Sequence, residues 1–308
     1  MNDRRGDGMF GAGIVSADFT VSGCEADCRC PTVRLPRQQL DQIFHEQIVG
    51  LLLGEPVSQV RPVALYIMGQ PGAGKTTITL RIMDAQEVRE AVRICTDDLK
   101  QFHPWYEALM RHNSRTAGAR IRRDLKAWQR MVKRFVAQHR AHAVIEIAPG
   151  EPEEFFRSAA AFHALGYEVK LVPMAVRAAD SFQGVTVRFA ETRTPDMPAR
   201  FTTREGHHRC FAAVAETLRL AEAAAVVGPI MVVNRGGYPL WSPRRRYQQS
   251  AVEALLEERN RLYTTDEAIE FVKIQEWLWS ELPAHRDEIA ESYELARPML
   301  PKGSRPID

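Results

Sequence analysis

Residues 62–68, Pro-Val-Ala-Leu-Tyr-Ile-Met, are an apolar run that leads straight into Gly69-Gln70-Pro71-Gly72-Ala73-Gly74-Lys75-Thr76. The pattern is G-x-x-x-x-G-K-T, and residues 76–84 behind it read as a helix. A strand, a glycine-rich turn and a helix in that order predict a phosphate-binding loop on the first strand of a parallel sheet. The residue types follow from the ligand. Phosphate oxygens need several donors at once, and a turn without Cβ atoms can bring successive backbone N–H groups close to them. The helix behind adds the positive end of its dipole. Lys75 supplies a mobile cation for the β and γ phosphates, and the Thr76 hydroxyl is the expected ligand of Mg²⁺, with Thr77 completing the loop. The expected phosphate donor is ATP or GTP.

Residues 92–96, 143–147, 168–174 and 230–234 read as four further short apolar strands. Pro173, near the end of one of them, weakens that boundary, because proline cannot donate to a sheet ladder. Helical segments lie between the strands, and residues 38–53 carry apolar side chains at helical spacing before the first. Strands alternating with helices predict an α/β protein: a P-loop kinase-like, doubly wound parallel sheet with helices on both faces. Beyond Trp241 only helical patterns remain, over 250–262 and 265–282. The organisation expected is a glycine-rich N-terminal tail over 1–33, a kinase domain over 34–241 and a helical C-terminal extension over 242–308. The tail holds Cys24, Cys28 and Cys30 at a spacing that is not a usual zinc pattern, so free thiols are expected there.

Composition narrows the class. Lys plus Arg is 41 against 39 for Asp plus Glu, a balance that points away from a dedicated nucleic-acid binder. The longest apolar stretch, 223–233, contains Gly228 and Pro229 and is too short to span a bilayer. Residues 1–19 hold no sustained apolar run, so no secretory leader is expected. An odd count of 5 cysteines argues for reduced thiols and a cytoplasmic location.

A P-loop gives nucleotide binding and leaves the reaction open. The next clue is Thr96-Asp97-Asp98, directly after the second strand. Ligands of parallel sheets gather at the carboxyl ends of the strands, so a carboxylate here can take a proton from an attacking hydroxyl. Asp98 suits the cap of the helix that follows, which leaves Asp97 for chemistry. Asp97-Asp98-Leu99-Lys100-Gln101-Phe102-His103-Pro104, together with the Gly-Gln-Pro-Gly opening of the loop, resembles the zeta toxin family. The resemblance continues through Val144-Ile145-Glu146, through Gly166-Tyr167-Glu168 to Val176, and through Arg188 and Arg200, and covers roughly residues 60–236.

That resemblance implies a P-loop kinase of a bacterial toxin–antitoxin system, phosphorylating UDP-N-acetylglucosamine on the sugar 3′-hydroxyl, with an antitoxin protein as partner. It implies Asp97 as general base and Arg188 and Arg200 as arginines on the transferring phosphate. Glu146 and His103 fall on the substrate side. Arg200 follows a proline-rich stretch, 195–198, that suits a lid.

Two departures stand out. The family carries a Glu-Gly-Thr-Gly-Arg turn after its third strand; this chain has Glu146-Ile147-Ala148-Pro149-Gly150. The family also places a substrate-binding glutamate on the preceding helix, where a gapless count reaches Arg130. Ile121, Leu125, Trp128, Val132 and Phe135 mark the buried face, which turns Arg130 to solvent. Asp124, at the edge of that face, is through a shift of register the expected substrate carboxylate in place of Arg130; the alternative is that it pairs with a neighbouring base. The same stretch carries ten basic residues between Arg111 and Arg140, which read as a solvated basic face able to attract a diphosphate or an acidic antitoxin surface. The rivals to a nucleotide-sugar kinase are a kinase of another hydroxylated small molecule, such as an antibiotic, and a nucleotide-dependent switch or nucleic-acid-binding ATPase.

Overall fold

The computed structural model describes residues 33–84, 88–194, 199, 201–243 and 249–302. The expected tail up to residue 32, with its three cysteines, lies outside them, as do Arg200 and residues 195–198, while Val33 is described and buried.

Helix α1 (Arg37–Ile43) runs into a π-helical stretch, Phe44–Leu53, that ends at Gly54 with φ of 60°. The spacing of apolar residues predicts a helix here and the structure has one, wound more widely in its second half. Ile48 and Leu53 still reach the core.

Strand β1 (Val63–Met68) is buried at every position. Helix α2 (Lys75–Met83) and strand β2 (Val92–Ile94) follow, then a 3₁₀ turn, Thr96–Phe102, and the short helices α3 (Tyr106–Asn113) and α4 (Ala117–Arg120). The long helix α5 (Arg122–Gln138) returns the chain to β3 (Ala143–Ile147). Then come α6 (Pro152–Ala164), β4 (Glu168–Ala175), α7 (Ala178–Thr192), α8 (Arg204–Glu222), β5 (Val232–Asn234) and β6 (Pro239–Trp241). The six strands are ordered β2-β3-β1-β4-β5-β6.

All pairings are parallel except β5 with β6. The P-loop strand is therefore central, with Met68 beside Ile147 on one side and Pro173 on the other. Its alternating side chains feed two cores. Tyr66 and Met68 join a large core with Trp128 of α5 and Phe155 of α6, while Leu65 and Ile67 join a smaller one with Ile78 of α2. Helices thus cover both faces, as a parallel sheet requires.

The strand boundaries shift in four places, β1 starting at Val63, one residue into its apolar run. β2 ends at Ile94, because the chain winds into the 3₁₀ turn at Thr96. β4 runs one residue beyond the expected end, through Pro173 to Ala175. β5 starts two residues later than its apolar run, with Ile230 making only an isolated bridge to Leu171. The antiparallel β6 is too short and too exposed to show as an apolar run.

Beyond β6, helices α9 (Ala251–Asn260), α10 (Thr265–Glu281) and α11 (Arg286–Ala296) complete the chain. α9 packs on α8 and the β4–β5–β6 edge, and α10 and α11 pack on α7. Ser250 with Glu253 and Thr264 with Glu267 form capping boxes at the starts of α9 and α10. Arg177 ties the join together: it donates to Asp180 at 3.1 Å, to Glu267 at 3.1 Å and to the Arg261 carbonyl at 2.9 Å, over the ring of Tyr263.

Candidate active site

The loop between β1 and α2 takes its shape from two glycines. Gly72 has φ of 76° and Gly74, the N-cap of α2, has φ of 90°. A Cβ on Gly72 would stand 1.9 Å from the Ser181 carbonyl oxygen of α7, so only glycine lets the loop lie against that helix. Gln70, wholly buried, fastens the loop from behind: its amide nitrogen donates to the Val176 carbonyl and to Ser181 Oγ, each at 3.0 Å. Lys75 Nζ donates to the carbonyls of Gly69 at 2.9 Å and Gln70 at 3.0 Å. Desolvation pulls the pKa of this ammonium down, and the charges of Glu146 and Asp97 push it back up.

Thr76 Oγ1 donates to Glu146 Oε2 at 3.1 Å. Glu146, buried at the end of β3, also accepts from Arg93 Nε at 2.7 Å, and Arg93 Nη1 donates to Asp98 Oδ2 at 2.6 Å. This chain of charges joins β2, β3 and α2 at the carboxyl end of the sheet. Asp98 is thus the partner of Arg93, which corrects its expected role: the N-cap of the 3₁₀ turn is Cys95, with no side-chain cap. Asp97 points elsewhere and pairs with Lys100 at 2.5 Å, three residues on. Asp97, Glu146 and Arg188 all lie within electrostatic reach of Lys75. Arg188, on α7, donates to Thr202 Oγ1 at 3.3 Å.

His103 and Asp124 are placed differently from the expectation. Asp124 is 1% exposed; its Oδ2 accepts from the Leu35 backbone N–H at 2.8 Å and lies 3.3 Å from His103 Nε2. The segment before α1 folds over this end of α5 and turns the margin of its apolar face into interior. Asp124 is therefore a buried fastener of residue 35 and His103, the second alternative left by the sequence. Arg130 is exposed, as its helical position predicts. The α5 residue that does reach the end of β2 is Gln129, whose amide nitrogen donates to Thr96 Oγ1 at 2.8 Å, one residue before Asp97.

The family model for zeta toxins matches residues 52–245. The chain belongs to the zeta toxin family. Among solved structures, a chain from the PezAT chromosomal toxin–antitoxin system of Streptococcus pneumoniae is similar with a TM-score of 0.68 and 19% identity, over 81% of this chain and 98% of that one. At that identity the likeness is one of fold, the P-loop kinase-like sheet. A chain of the AvrRxo1-ORF1:-ORF2 complex is 11% identical, with a TM-score of 0.49, over 88% of this chain and 87% of that one. No curated protein matches the sequence.

In this chain the turn after β3, Ala148-Pro149-Gly150, carries no polar side chain. Arg209 of α8 stands beside it: its Nε lies 3.7 Å from where a Cβ on Gly150 would be. The next residue, Cys210, anchors α8 to the turn with its thiol on the Ala148 carbonyl at 3.7 Å. Sequence reasoning missed Arg209, Arg93 and Gln129. Arg93 left a signal, a charge inside the apolar run Val92-Arg93-Ile94, matched by Glu146 inside the next strand. Arg209 and Gln129 left none, because the contacts of both join elements far apart in the chain.

The donor set suits a hard divalent cation. Thr76 and Glu146 offer oxygen ligands side by side, the chemistry Mg²⁺ prefers. Among the described residues no separate group of three or more His, Cys, Asp and Glu side chains could hold a metal ion, and no helix is long and apolar enough to cross a membrane.

Proposed function

We propose that the protein is a kinase that moves the γ-phosphoryl group of ATP or GTP onto a hydroxyl of a nucleotide sugar, foremost the 3′-hydroxyl of UDP-N-acetylglucosamine, as the toxin of a toxin–antitoxin pair in the cytoplasm. One observation carries the reading: Asp97 and the P-loop Lys75 converge at the carboxyl ends of the strands, within each other's electrostatic reach. In phosphoryl transfer the protein's work is positioning and charge stabilisation. The acceptor oxygen bonds to the γ-phosphorus while the bond to the β–γ bridging oxygen breaks. The hydroxyl proton goes to the Asp97 carboxylate, and the nucleoside diphosphate leaves. Lys75 and Arg188, together with Arg200, offset the charge on the phosphoryl oxygens. Thr76, backed by Glu146, would hold Mg²⁺, which when bound would supply positive charge to the phosphates.

The acceptor side rests on Gln129 and Arg209. Gln129 brings a neutral amide to Thr96, the residue before Asp97, and Arg209 puts a cation beside a turn with no polar side chain, which suits the diphosphate of a nucleotide sugar. The apolar turn Ala148–Gly150 also supports a second reading, a different hydroxylated acceptor. The toxin–antitoxin origin of the Streptococcus pneumoniae structure supports an antitoxin partner. The test is mass spectrometry of nucleotide sugars incubated with protein, ATP and Mg²⁺, in which UDP-N-acetylglucosamine gains one phosphate. ATP hydrolysis stimulated by DNA or RNA, without a phosphorylated small molecule, would overturn it.

A further inference from the structure

Arg259 lies on α9, beyond the segment matched by the family, yet it reaches the P-loop. It is 3% exposed. Its Nη2 donates to Gln70 Oε1 at 3.1 Å and its Nη1 to the Phe211 carbonyl at 3.0 Å, with the guanidinium carbon 4.0 Å from the centre of the Phe211 ring. Its Nε has no hydrogen-bond partner, and among the described residues no carboxylate pairs with it. Burial pulls its pKa down to about 9, so it stays charged at neutral pH.

A buried charge without a counter-charge is unfavourable. A neutral side chain could donate to the same oxygens without that penalty. What distinguishes this place is the loop in front of it. Gln70 accepts from Arg259 with its side chain and from Lys75 Nζ with its backbone carbonyl. His207, whose Nε2 lies 2.9 Å from Ser181 Oγ, is within electrostatic reach of both Arg259 and Lys75. Two cations, Arg259 and Lys75, thus converge on Gln70, and the one on the side-chain side has no carboxylate of its own among the described residues, an arrangement that a bound polyanion completes.

We propose that Arg259 is a positioning residue of the nucleotide site. Through Gln70 it holds the P-loop against α7, and its uncompensated charge raises the loop's affinity for the triphosphate. This rests on the reading of the P-loop as a nucleoside triphosphate site. It makes the C-terminal helices part of the nucleotide-binding machinery.

The experiment is calorimetry on the full chain with MgATP, MgADP and adenosine, comparing wild type, Arg259→Met and Arg259→Lys. A charge effect scales with ligand charge. Arg259→Met should weaken ATP about tenfold or more, ADP less, and adenosine by less than about threefold, while Arg259→Lys keeps ATP within about threefold. A merely structural role would weaken all three ligands alike in Arg259→Met, and that result, or no loss for ATP, overturns the proposal. If the methionine variant does not fold, Arg259→Lys decides: an ATP-to-adenosine affinity ratio within about threefold of wild type supports it, and a ratio down about tenfold overturns it. Wild-type protein that binds neither ATP nor GTP overturns the nucleotide reading itself, and this inference with it.

Discussion

Asp97 and Asp98 are neighbours in sequence and belong to different networks. Asp98 is fixed by Arg93, which is fixed in turn by Glu146 and so by Thr76. Asp97 is half exposed, held by Lys100 and within reach of Lys75. In the proposed mechanism Asp97→Asn therefore abolishes transfer while ATP still binds, read by product formation and by calorimetry. Asp98→Asn removes an acceptor from a charged hydrogen bond and lowers stability by roughly 1.5–3 kcal/mol, read by urea unfolding, with transfer reduced far less. Arg188→Ala should lower turnover by about 10³-fold or more with little change in nucleotide affinity, since such a charge acts most on the transition state; lost affinity at unchanged turnover would make it a ground-state ligand.

His207 gives a pH test. Burial, first, and the charges of His208, Arg259 and Lys75 hold its pKa down to about 3. The unfolded chain takes up that proton near pH 6.5 and the folded chain does not. The stability contributed by neutral His207 is thus complete above pH 6.5 and falls by about 1.4 kcal/mol per pH unit below it. Urea unfolding between pH 7 and 5 should show His207→Gln less acid-sensitive than wild type by about that slope; equal slopes would remove His207 from the account.

At the scale of elements, the sheet was legible because its strands are apolar runs and its loop is a motif with one geometry. The order of the helices followed from the alternation. The details that escaped depend on distant partners. Asp124 reads as marginal on a helical wheel, and only the segment around Leu35, which no motif marks, turns it inward. Asp124→Ala should therefore leave the acceptor's Michaelis constant unchanged and cost about 2–4 kcal/mol of stability, because the Leu35 N–H and His103 lose their acceptor inside the protein. Gln129→Ala should do the reverse. Steady-state kinetics with acceptor varied, beside urea unfolding, separates the two; a raised Michaelis constant for Asp124→Ala alone would restore the carboxylate to the site. β2 and β5 are likewise shorter than their apolar runs, β2 because the chain winds into the 3₁₀ turn at Thr96 and β5 because Ile230 makes only an isolated bridge to Leu171.

At the scale of the whole molecule, the helices after β6 read in sequence as an appendage. In the structure they pack on α7, α8 and the sheet edge, pinned by Arg177 and by Arg259. The P-loop is therefore braced by α9 as well as by α7. The central claim, however, is chemical: the site transfers phosphate to a small hydroxylated acceptor, with Lys75 and Asp97 as its essential pair. The most direct measurement is a product analysis of UDP-N-acetylglucosamine incubated with MgATP and wild-type, Lys75→Ala or Asp97→Asn protein. The account predicts a product carrying one added phosphate on the sugar 3′-hydroxyl with wild type and none with either variant. Product formed equally by Lys75→Ala or Asp97→Asn, or no phosphorylated sugar from wild type while ATP is consumed, would contradict it.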